Sequence, residues 1–215
     1  KIEPRLVRTN MSQAANSDYS RRREGTEQMS GRAAIWKRLD VDGMDACRYL
    51  SGDGGWTTEG TALFAADEGI ANLSYRLFCD GEWVSTGAQV EGWIGAAFFS
   101  LRLRRMPEFG WLANNKRLEA VSGLLDIDLG FTPASNTNAI RRLTPGKETV
   151  ETTAVWLDTA DWTIKPLPQT YERLTATTFA YSSPTHEYSA VLEIDAFGVV
   201  TRYPGLWEAI RVDPF

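Results

Sequence analysis

The sequence predicts a mainly β fold built on a single, strongly curved antiparallel sheet with one or two short helices. Apolar and polar residues alternate in residues 73–79, 99–104, 125–129 and 188–195, a pattern typical of strands with one buried and one solvated face. Turn sequences separate about ten or more such segments at the regular spacing of all-β proteins. A long sheet with one apolar face must curl on itself or leave that face exposed.

Turn sequences place the strand boundaries. Asp80-Gly81 predicts a hairpin between residues 73–79 and 83–90, since Asp-Gly is a strong hairpin signal. Ala196-Phe197-Gly198 predicts a second hairpin, between residues 188–195 and 199–203. Two further strands are predicted: 56–65, which follows the glycines of 52–55, and 148–157, which follows Pro145-Gly146. Short helical turns are predicted at 137–142 and 206–210.

The domain organisation predicted is a disordered arm over residues 1–31 and one β domain over residues 32–215. The arm is polar and charged and lacks periodicity. It contains no apolar segment typical of a signal peptide, so we expect a cytoplasmic protein. A chain of 215 residues buries enough surface to fold without disulfides or metals.

Composition excludes several classes of partner. The net charge of −5 and pI of about 5.1 argue against nucleic acid, which requires a basic face. The longest dense apolar run, residues 94–101, is far shorter than the ~20 residues that span a bilayer. Cys47 and Cys79 lack CxxC spacing, and we predict that both are reduced and buried.

Catalytic and cofactor motifs are sparse. His186 is the only histidine, and we expect it in an exposed turn. There is no GxSxG motif, and the available histidine and cysteines do not form a zinc ligand set, so neither metal nor cofactor is predicted. Asp126 and Asp128 share one face of a strand, with Cα atoms about 6–7 Å apart, and could act as glycosidase carboxylates. Alternatively, they form a solvated face that pairs with Arg141 or Arg142.

Tryptophan is abundant, with eight residues in the chain. Indole combines a large apolar surface with one polar group, which suits amphipathic ligands such as glycolipids. The alternative is that these rings fill an ordinary β core.

Four separated motifs resemble one protein family. They are the Asp126–Leu129 strand followed by Thr132-Pro133 and the run Asn138-Ala139-Ile140-Arg141-Arg142-Leu143; the Trp36-x-Arg38-Leu39-Asp40 segment; Pro168-Gln169-x-Tyr171; and Tyr203-Pro204-Gly205-Leu206-Trp207. Over about residues 33–211, the chain resembles the putative glycolipid-binding family of bacteria. The resemblance implies a spiral β-roll, or half-open barrel, like that of the lipoprotein-localisation factors, with a concave side able to hold acyl chains.

The function expected is non-catalytic binding of a lipid or glycolipid in the concave face. The alternatives are a glycoside hydrolase using Asp126 and Asp128, and a structural interaction domain. We expect one of the adjacent residues Arg141 and Arg142 to face the carboxylates and the other to face solvent or a ligand. The predicted ligand-binding residues are Trp56, Asp126, Asp128, Asn138, Arg141, Arg142, Gln169, Tyr171 and Tyr203.

Overall fold

The computed structural model describes residues 31–143 and 148–215. Residues 1–30 of the predicted arm, and the predicted Pro145-Gly146 turn, lie outside these ranges. Within the described residues, one sheet of fifteen strands accompanies one α-helix, α1 (Ala134–Leu143). The strands are β1 (Gly31–Arg38), β2 (Gly43–Gly52), β3 (Gly55–Ala66), β4 (Gly69–Cys79), β5 (Ser85–Ile94), β6 (Ala97–Met106), β7 (Gly110–Ala113), β8 (Lys116–Arg117), β9 (Asp126–Leu129), β10 (Val150–Asp158), β11 (Thr163–Arg173), β12 (Thr178–Ser183), β13 (Tyr188–Ile194), β14 (Val200–Tyr203) and β15 (Trp207–Pro214).

The sheet consists of two antiparallel meanders joined by strands β1 and β15. One meander runs from β1 to β8, the other from β10 to β15, and β1 pairs antiparallel with β15. At the far edge, β9 pairs with β10 in parallel, so the sheet is mixed rather than purely antiparallel. The chain passes through α1 between these two strands, and parallel neighbours require a crossover of this kind.

The sheet curls until one edge contacts the opposite meander. The Ser85 amide at the start of β5 donates a 2.9 Å hydrogen bond to the Leu125 carbonyl, just before β9. The Ile127 amide in β9 donates to the Ser85 hydroxyl at 3.3 Å. The predicted mainly β, strongly curved sheet is therefore confirmed.

Period-two alternation sorts side chains between the two faces of the sheet. In β4, Leu73, Tyr75 and Leu77 are buried, whereas Ser74 and Arg76 face outward and are exposed. Burying the large apolar side chains of successive strands stabilises the fold by roughly 25 cal/mol for each Å² of apolar surface removed from water. Both cysteines are free and buried, as predicted.

Helix α1 lies on the concave side of the sheet. The Thr132 hydroxyl accepts a 3.0 Å hydrogen bond from the Ala134 amide and caps the first turn. All seven residues from Ala134 to Ile140 are buried. The helical turn predicted at 137–142 is therefore confirmed, and the helix is longer than expected. None of the described helices is long and apolar enough to span a bilayer.

The helical turn predicted at residues 206–210 is wrong. Strand β15 begins at Trp207, which is buried and pairs with Arg38 of β1. Pairing with a central strand overrides the weak local helical tendency of this segment.

Two predicted turns differ in how closely they match the structure. The loop at Asp80-Gly81 extends to Val84, so β5 begins at Ser85 rather than at the predicted Trp83. Asp80 Oδ1 accepts hydrogen bonds from the amides of Glu82 and Val84 and so stabilises the longer loop.

The predicted hairpin between β13 and β14 is confirmed. In its loop, Asp195 Oδ1 accepts hydrogen bonds from three backbone amides.

Gly60 in β3 is predicted to tolerate no side chain. A Cβ at this position would lie 2.5 Å from the Tyr75 hydroxyl and 2.6 Å from the Ala46 carbonyl oxygen. We expect Gly60→Ala to lower the free energy of unfolding by about 1–3 kcal/mol, because the core cannot accept extra volume without moving. Urea denaturation would measure the loss. Gly52→Ala is the control, since nothing lies within 4 Å of its Cβ; equal stability of the two variants would contradict the prediction.

Candidate functional site

A cleft of about 490 Å³ opens beside the end of α1. It lies between residues 123–125, the last turn of α1, strands β10 and β11, and the turn Pro184–His186. Its lining residues are Gly123, Leu124, Leu125, Arg142, Glu151, Thr152, Thr153, Pro168, Gln169, Thr170 and Pro184. The two leucines and two prolines form an apolar part, and the threonines, Glu151, Gln169 and Arg142 form a polar part. The cleft is therefore amphipathic.

The arginine that lines the cleft, Arg142, is paired with a buried aspartate, Asp126. Arg142 Nε and Nη2 each donate a 2.6 Å hydrogen bond to a different oxygen of Asp126. The Thr152 hydroxyl donates to Asp126 Oδ2 at 2.8 Å and accepts from Arg142 Nη2 at 3.2 Å. The hydrogen bonds to Asp126 raise the pKa of Arg142. Its position in the last turn of α1 is also favourable, because cations are stabilised at helix C-termini.

A second carboxylate lies behind the cleft wall. Gln169 Nε2 donates to Asp128 Oδ2 at 2.7 Å and to the Tyr181 hydroxyl at 3.0 Å. The Ser135 hydroxyl donates to Asp128 Oδ1 at 3.4 Å. Although Asp128 is partly exposed as a residue, its carboxyl group is enclosed, and this burial raises its pKa to about 6.

The interpretation of Asp126 and Asp128 as a solvated strand face is wrong. Asp126 is only 1% exposed, because α1 packs over this face of β9 and supplies Arg142 and Ser135 as hydrogen-bond donors. The predicted pairing with an arginine is confirmed.

The two adjacent arginines point in different directions. Arg142 meets a carboxylate, as predicted, whereas Arg141 contacts aromatic rings rather than open solvent, and the geometry is helical rather than extended. Successive side chains on a helix diverge by about 100°. Arg141 donates to the Phe197 carbonyl at 3.1 Å. Its guanidinium lies 5.2 Å from the ring centre of Trp83 and 4.9 Å from that of Phe197. Trp56 stacks on Trp83 with ring centres 4.6 Å apart, so Trp56 and Arg141 belong to an aromatic cluster, separate from the residues that line the cleft.

The three other predicted site residues lie within the structure rather than on the cleft surface. Asn138 is buried in α1 and accepts a 3.5 Å hydrogen bond from Thr58. Tyr171 is fully buried, and its hydroxyl accepts from Asn136 at 3.1 Å. Tyr203 packs against Tyr181, with ring centres 5.6 Å apart. Of the predicted site residues, Arg142 and Gln169 line the cleft, and each is hydrogen-bonded to a carboxylate behind it, Asp126 and Asp128 respectively.

Sequence reasoning missed a buried carboxyl group, Asp45 in β2. Asp45 Oδ2 accepts hydrogen bonds from the Thr132 hydroxyl at 2.5 Å and the Tyr75 hydroxyl at 2.8 Å. Within the described residues, Asp45 Oδ1 has no hydrogen-bond partner, and burial raises the pKa to about 7. The signal was present, because Asp45 shares strand parity with Cys47 and Tyr49, which are both buried.

Metal chemistry gains no support from the geometry. Across residues 31–143 and 148–215, no group of three His, Cys, Asp or Glu side chains is arranged to hold a metal ion. His186 is exposed in a turn, as predicted, where its ring packs against Trp156 with centres 4.8 Å apart.

Comparison with known proteins places the chain in a family. The family model described as "Putative glycolipid-binding" matches residues 33–209, which includes the cleft and the aromatic cluster. The chain belongs to this family. The match confirms the resemblance seen in the sequence motifs. No curated protein has a significantly similar sequence.

Two solved structures are similar in fold to this family member. A DUF1089 family protein from Pseudomonas aeruginosa is 28% identical, with a TM-score of 0.68, covering 76% of this chain and 90% of that one. A β-barrel-like protein of DUF1849 from Brucella abortus is 10% identical, with a TM-score of 0.52, covering 87% of this chain and 98% of that one. The second similarity concerns the fold alone.

Replacing the two adjacent arginines is expected to give unequal losses of stability. Arg142→Ala leaves Asp126 buried without its partner, which should cost about 3–5 kcal/mol. Arg141→Ala removes contacts that include the aromatic rings and the Phe197 carbonyl from a partly buried side chain, with an expected loss of about 1–2 kcal/mol. Thermal and urea denaturation of both variants would measure the difference. Losses of the same size would show that the Arg142–Asp126 pair is no more important than the Arg141 contacts.

Asp45 is expected to make stability fall as pH rises between about 4 and 8. Its pKa in the folded protein, about 7, lies above its ordinary value of 3.8, so the folded state holds this proton more tightly than the unfolded state. Ionising the buried carboxyl should therefore reduce the free energy of unfolding by at most about 4 kcal/mol.

The variant Asp45→Asn tests this expectation, since its side chain does not titrate. Urea denaturation across this pH range should show wild type losing stability relative to the variant as pH increases. Asp128 also titrates in this range, but it is present in both proteins and cancels. Parallel pH profiles would contradict the assignment.

Proposed function

We propose that the protein binds a glycolipid-like amphipathic molecule at the cleft beside α1, without catalysing a reaction. The observation that carries this proposal is the division of the cleft into an apolar and a polar part. Ligand sites of this kind combine apolar walls with a few polar groups that fix orientation. The family description supports a ligand of the same class.

The polar part suits a hydroxyl-rich, uncharged head group. The arginine in the cleft lining, Arg142, already has two hydrogen bonds to Asp126. Glu151, which is exposed, and the hydroxyl of Thr153 contribute acceptors, and Glu151 would repel an anion. A phosphate would therefore meet an arginine whose charge Asp126 already neutralises, and a carboxylate that repels it. Sugar hydroxyls, in contrast, can donate hydrogen bonds to the Glu151 carboxylate, to the threonine hydroxyls and to the Gln169 amide oxygen.

The apolar part is placed to receive the start of an acyl chain. Leu124 and Leu125 are half-buried on one side of the cleft, and Pro168 and Pro184 lie on the other. Helix α1 occupies concave space in which an acyl chain was expected. In this proposal the head group and the first carbons of the tail bind in the cleft, and deeper entry into the roll would require α1 to move.

The arrangement of the carboxylates favours binding over glycoside hydrolysis. A nucleophile or general base needs a free oxygen, but both oxygens of Asp126 accept hydrogen bonds from Arg142. Asp128 has the raised pKa expected of a general acid, which is the one observation in favour of hydrolysis. It is separated from the cleft by Gln169. We therefore assign these groups to shaping the binding site.

The proposal is tested by titrating the protein with octyl glucoside below its micelle concentration. A sugar-free amphiphile with the same chain, octyl dimethylamine oxide, provides the comparison, and isothermal calorimetry gives the affinities. We expect the glucoside to bind more tightly. The variant Glu151→Gln/Thr153→Val changes one exposed and one half-buried polar group of the cleft and should weaken glucoside binding by about tenfold.

The matched control is Glu208→Gln/Thr201→Val, which makes the same chemical changes on β15 and β14, outside the residues that line the cleft. It should bind the glucoside as wild type does. Equal affinity for both amphiphiles, or equal loss in both variants, would overturn the proposal. Release of free glucose that disappears in Asp128→Asn would establish the hydrolase instead.

A further inference from the structure

The outer face of strands β2–β6 carries three parallel rows of side chains that cross the strands. Register places each row on directly paired residues of neighbouring strands. The apolar row is Met44, Leu63, Asn72, Trp93 and Phe98; the small polar row is Ala46, Thr61, Ser74, Glu91 and Ser100; the arginine row is Arg48, Glu59, Arg76, Gln89 and Arg102.

A groove follows these rows across the sheet. A cavity of about 610 Å³ extends from Ala33 in β1 to Glu91 in β5. A second cavity of about 370 Å³ continues to Asn115 after β7, and the two share Gln89 and Glu91 as lining residues. Neighbouring strands are about 4.8 Å apart, so the groove is long enough for an extended oligomer rather than a single small molecule.

The arginine row is held in position yet remains open to solvent. Glu59 accepts hydrogen bonds from Arg48 Nε at 2.7 Å and from Arg76 Nε at 3.1 Å. The side chains of Arg48 and Arg76 are nevertheless 56% and 59% exposed. Guanidinium groups fixed in this way can offer their remaining N–H donors to a carboxylate with little further loss of conformational freedom.

The groove is locally cationic on an acidic protein. The residues that line its two parts include four arginines (Arg48, Arg76, Arg102, Arg104) and two glutamates (Glu59, Glu91), a local excess of two positive charges. The whole chain carries a net charge of −5. The local field therefore favours an anion, while Glu59 and Glu91 disfavour one with densely spaced charges.

The apolar row adds aromatic surface beside the groove. Trp93 and Phe98 pair across β5 and β6 and are 42% and 77% exposed. Trp93 lies two residues from Glu91 on the same face, roughly 7 Å along the strand. Aromatic faces of this kind pack against the C–H surfaces of sugar rings, and the row of hydroxyl, amide and carboxylate groups beside them can bind sugar hydroxyls.

We propose that this outer groove binds a linear acidic oligosaccharide whose charged units are separated by neutral ones. Carboxylates of the glycan would bind the arginine row, and neutral units would pack on Trp93 and Phe98 and hydrogen-bond to Gln89 and Glu91. DNA matches the groove less well, because it carries one charge per about 1.7 Å of helix. The arginines of the groove are more widely spaced, since they lie on alternate strands with Glu59 between two of them. This site is separate from the cleft and does not depend on its function.

Titration with a hyaluronan octasaccharide, in which glucuronate and N-acetylglucosamine alternate, tests the proposal. We expect binding that weakens with salt, and much weaker binding of neutral maltooctaose. The variant Arg48→Gln/Arg76→Gln should lower affinity by about tenfold or more. Trp93→Ala leaves the charge of the groove unchanged, and it should also weaken binding because the aromatic ring packs on the sugar. Circular dichroism would check that each variant is folded, since exposed ion pairs contribute only about 0–1 kcal/mol to stability.

The matched control is Arg202→Gln/Arg211→Gln. It removes the same charge from two exposed ion pairs on β14 and β15, outside the groove, and should bind as wild type does. The cleft variant Glu151→Gln/Thr153→Val should also bind the octasaccharide normally. Failure of wild type to bind, equal loss in the control, or tighter binding of maltooctaose, a single-stranded oligonucleotide or anionic vesicles would overturn the proposal.

Discussion

The structure depends on providing hydrogen-bond partners for a polar helix that is buried inside a curled sheet. Helix α1 buries Ser135, Asn136, Thr137 and Asn138, and a buried polar group without a partner costs about 1–3 kcal/mol. Inward-facing residues of the sheet supply most of the partners, and Asn138 Nδ2 is left without one among the described residues. The Tyr49 hydroxyl in β2 is within hydrogen-bonding distance of both the Ala134 carbonyl and the Thr137 hydroxyl. On the opposite side of the helix, Asn136 donates to the Tyr171 hydroxyl in β11. The two meanders are thus tied to one another through α1.

The same constraint produces the cleft proposed as the binding site. Because α1 runs through the roll and ends at β9 and β10, its last turn carries Arg142 to Asp126 and opens the cleft there. Its neighbour Arg141 is directed to the aromatic rings at the loop between β13 and β14. At the other end of the helix, Thr132 links the cap to Asp45. The position of the cleft therefore follows from how the helix is held. The outer rows of β2–β6 lie on the opposite, solvent-facing side of the sheet and take no part in holding it.

Strand alternation and hairpin turns were predictable because each is encoded locally. Period-two patterning gave β4 and β13, and the loop at Ala196-Phe197-Gly198 follows from Asp195 and a glycine with positive φ. The parallel pairing of β9 with β10 was not predictable, since register across a crossover depends on distant segments. Residues 206–210 were misread because Leu206 and Trp207 suit a helix until β1 is available as a pairing partner.

Among the site residues, those within one motif were predictable as neighbours and those on separate strands were not. One of the two adjacent arginines was expected to meet Asp126 or Asp128, and Arg142 meets Asp126. Gln169 was named, but its bond to Asp128 requires β11 to lie beside β10, which the sequence does not reveal. Trp56 was grouped with the carboxylates, yet the curl of the sheet brings it to Trp83 and Phe197 instead. Asp45 was overlooked because charge suggested exposure, although its strand parity indicated burial.

The pairing of β1 with β15 has a consequence for how the domain is made. These two strands are adjacent at the centre of the sheet but are separated by nearly the whole described chain. During synthesis, β1 emerges from the ribosome long before β15 exists. The edge of β1 that β15 covers must therefore stay unpaired while thirteen later strands are translated. Contacts of such long sequence separation slow folding, and open strand edges promote aggregation. The pairing of β1 with β15 can therefore form only late, once nearly all of the described chain has been translated.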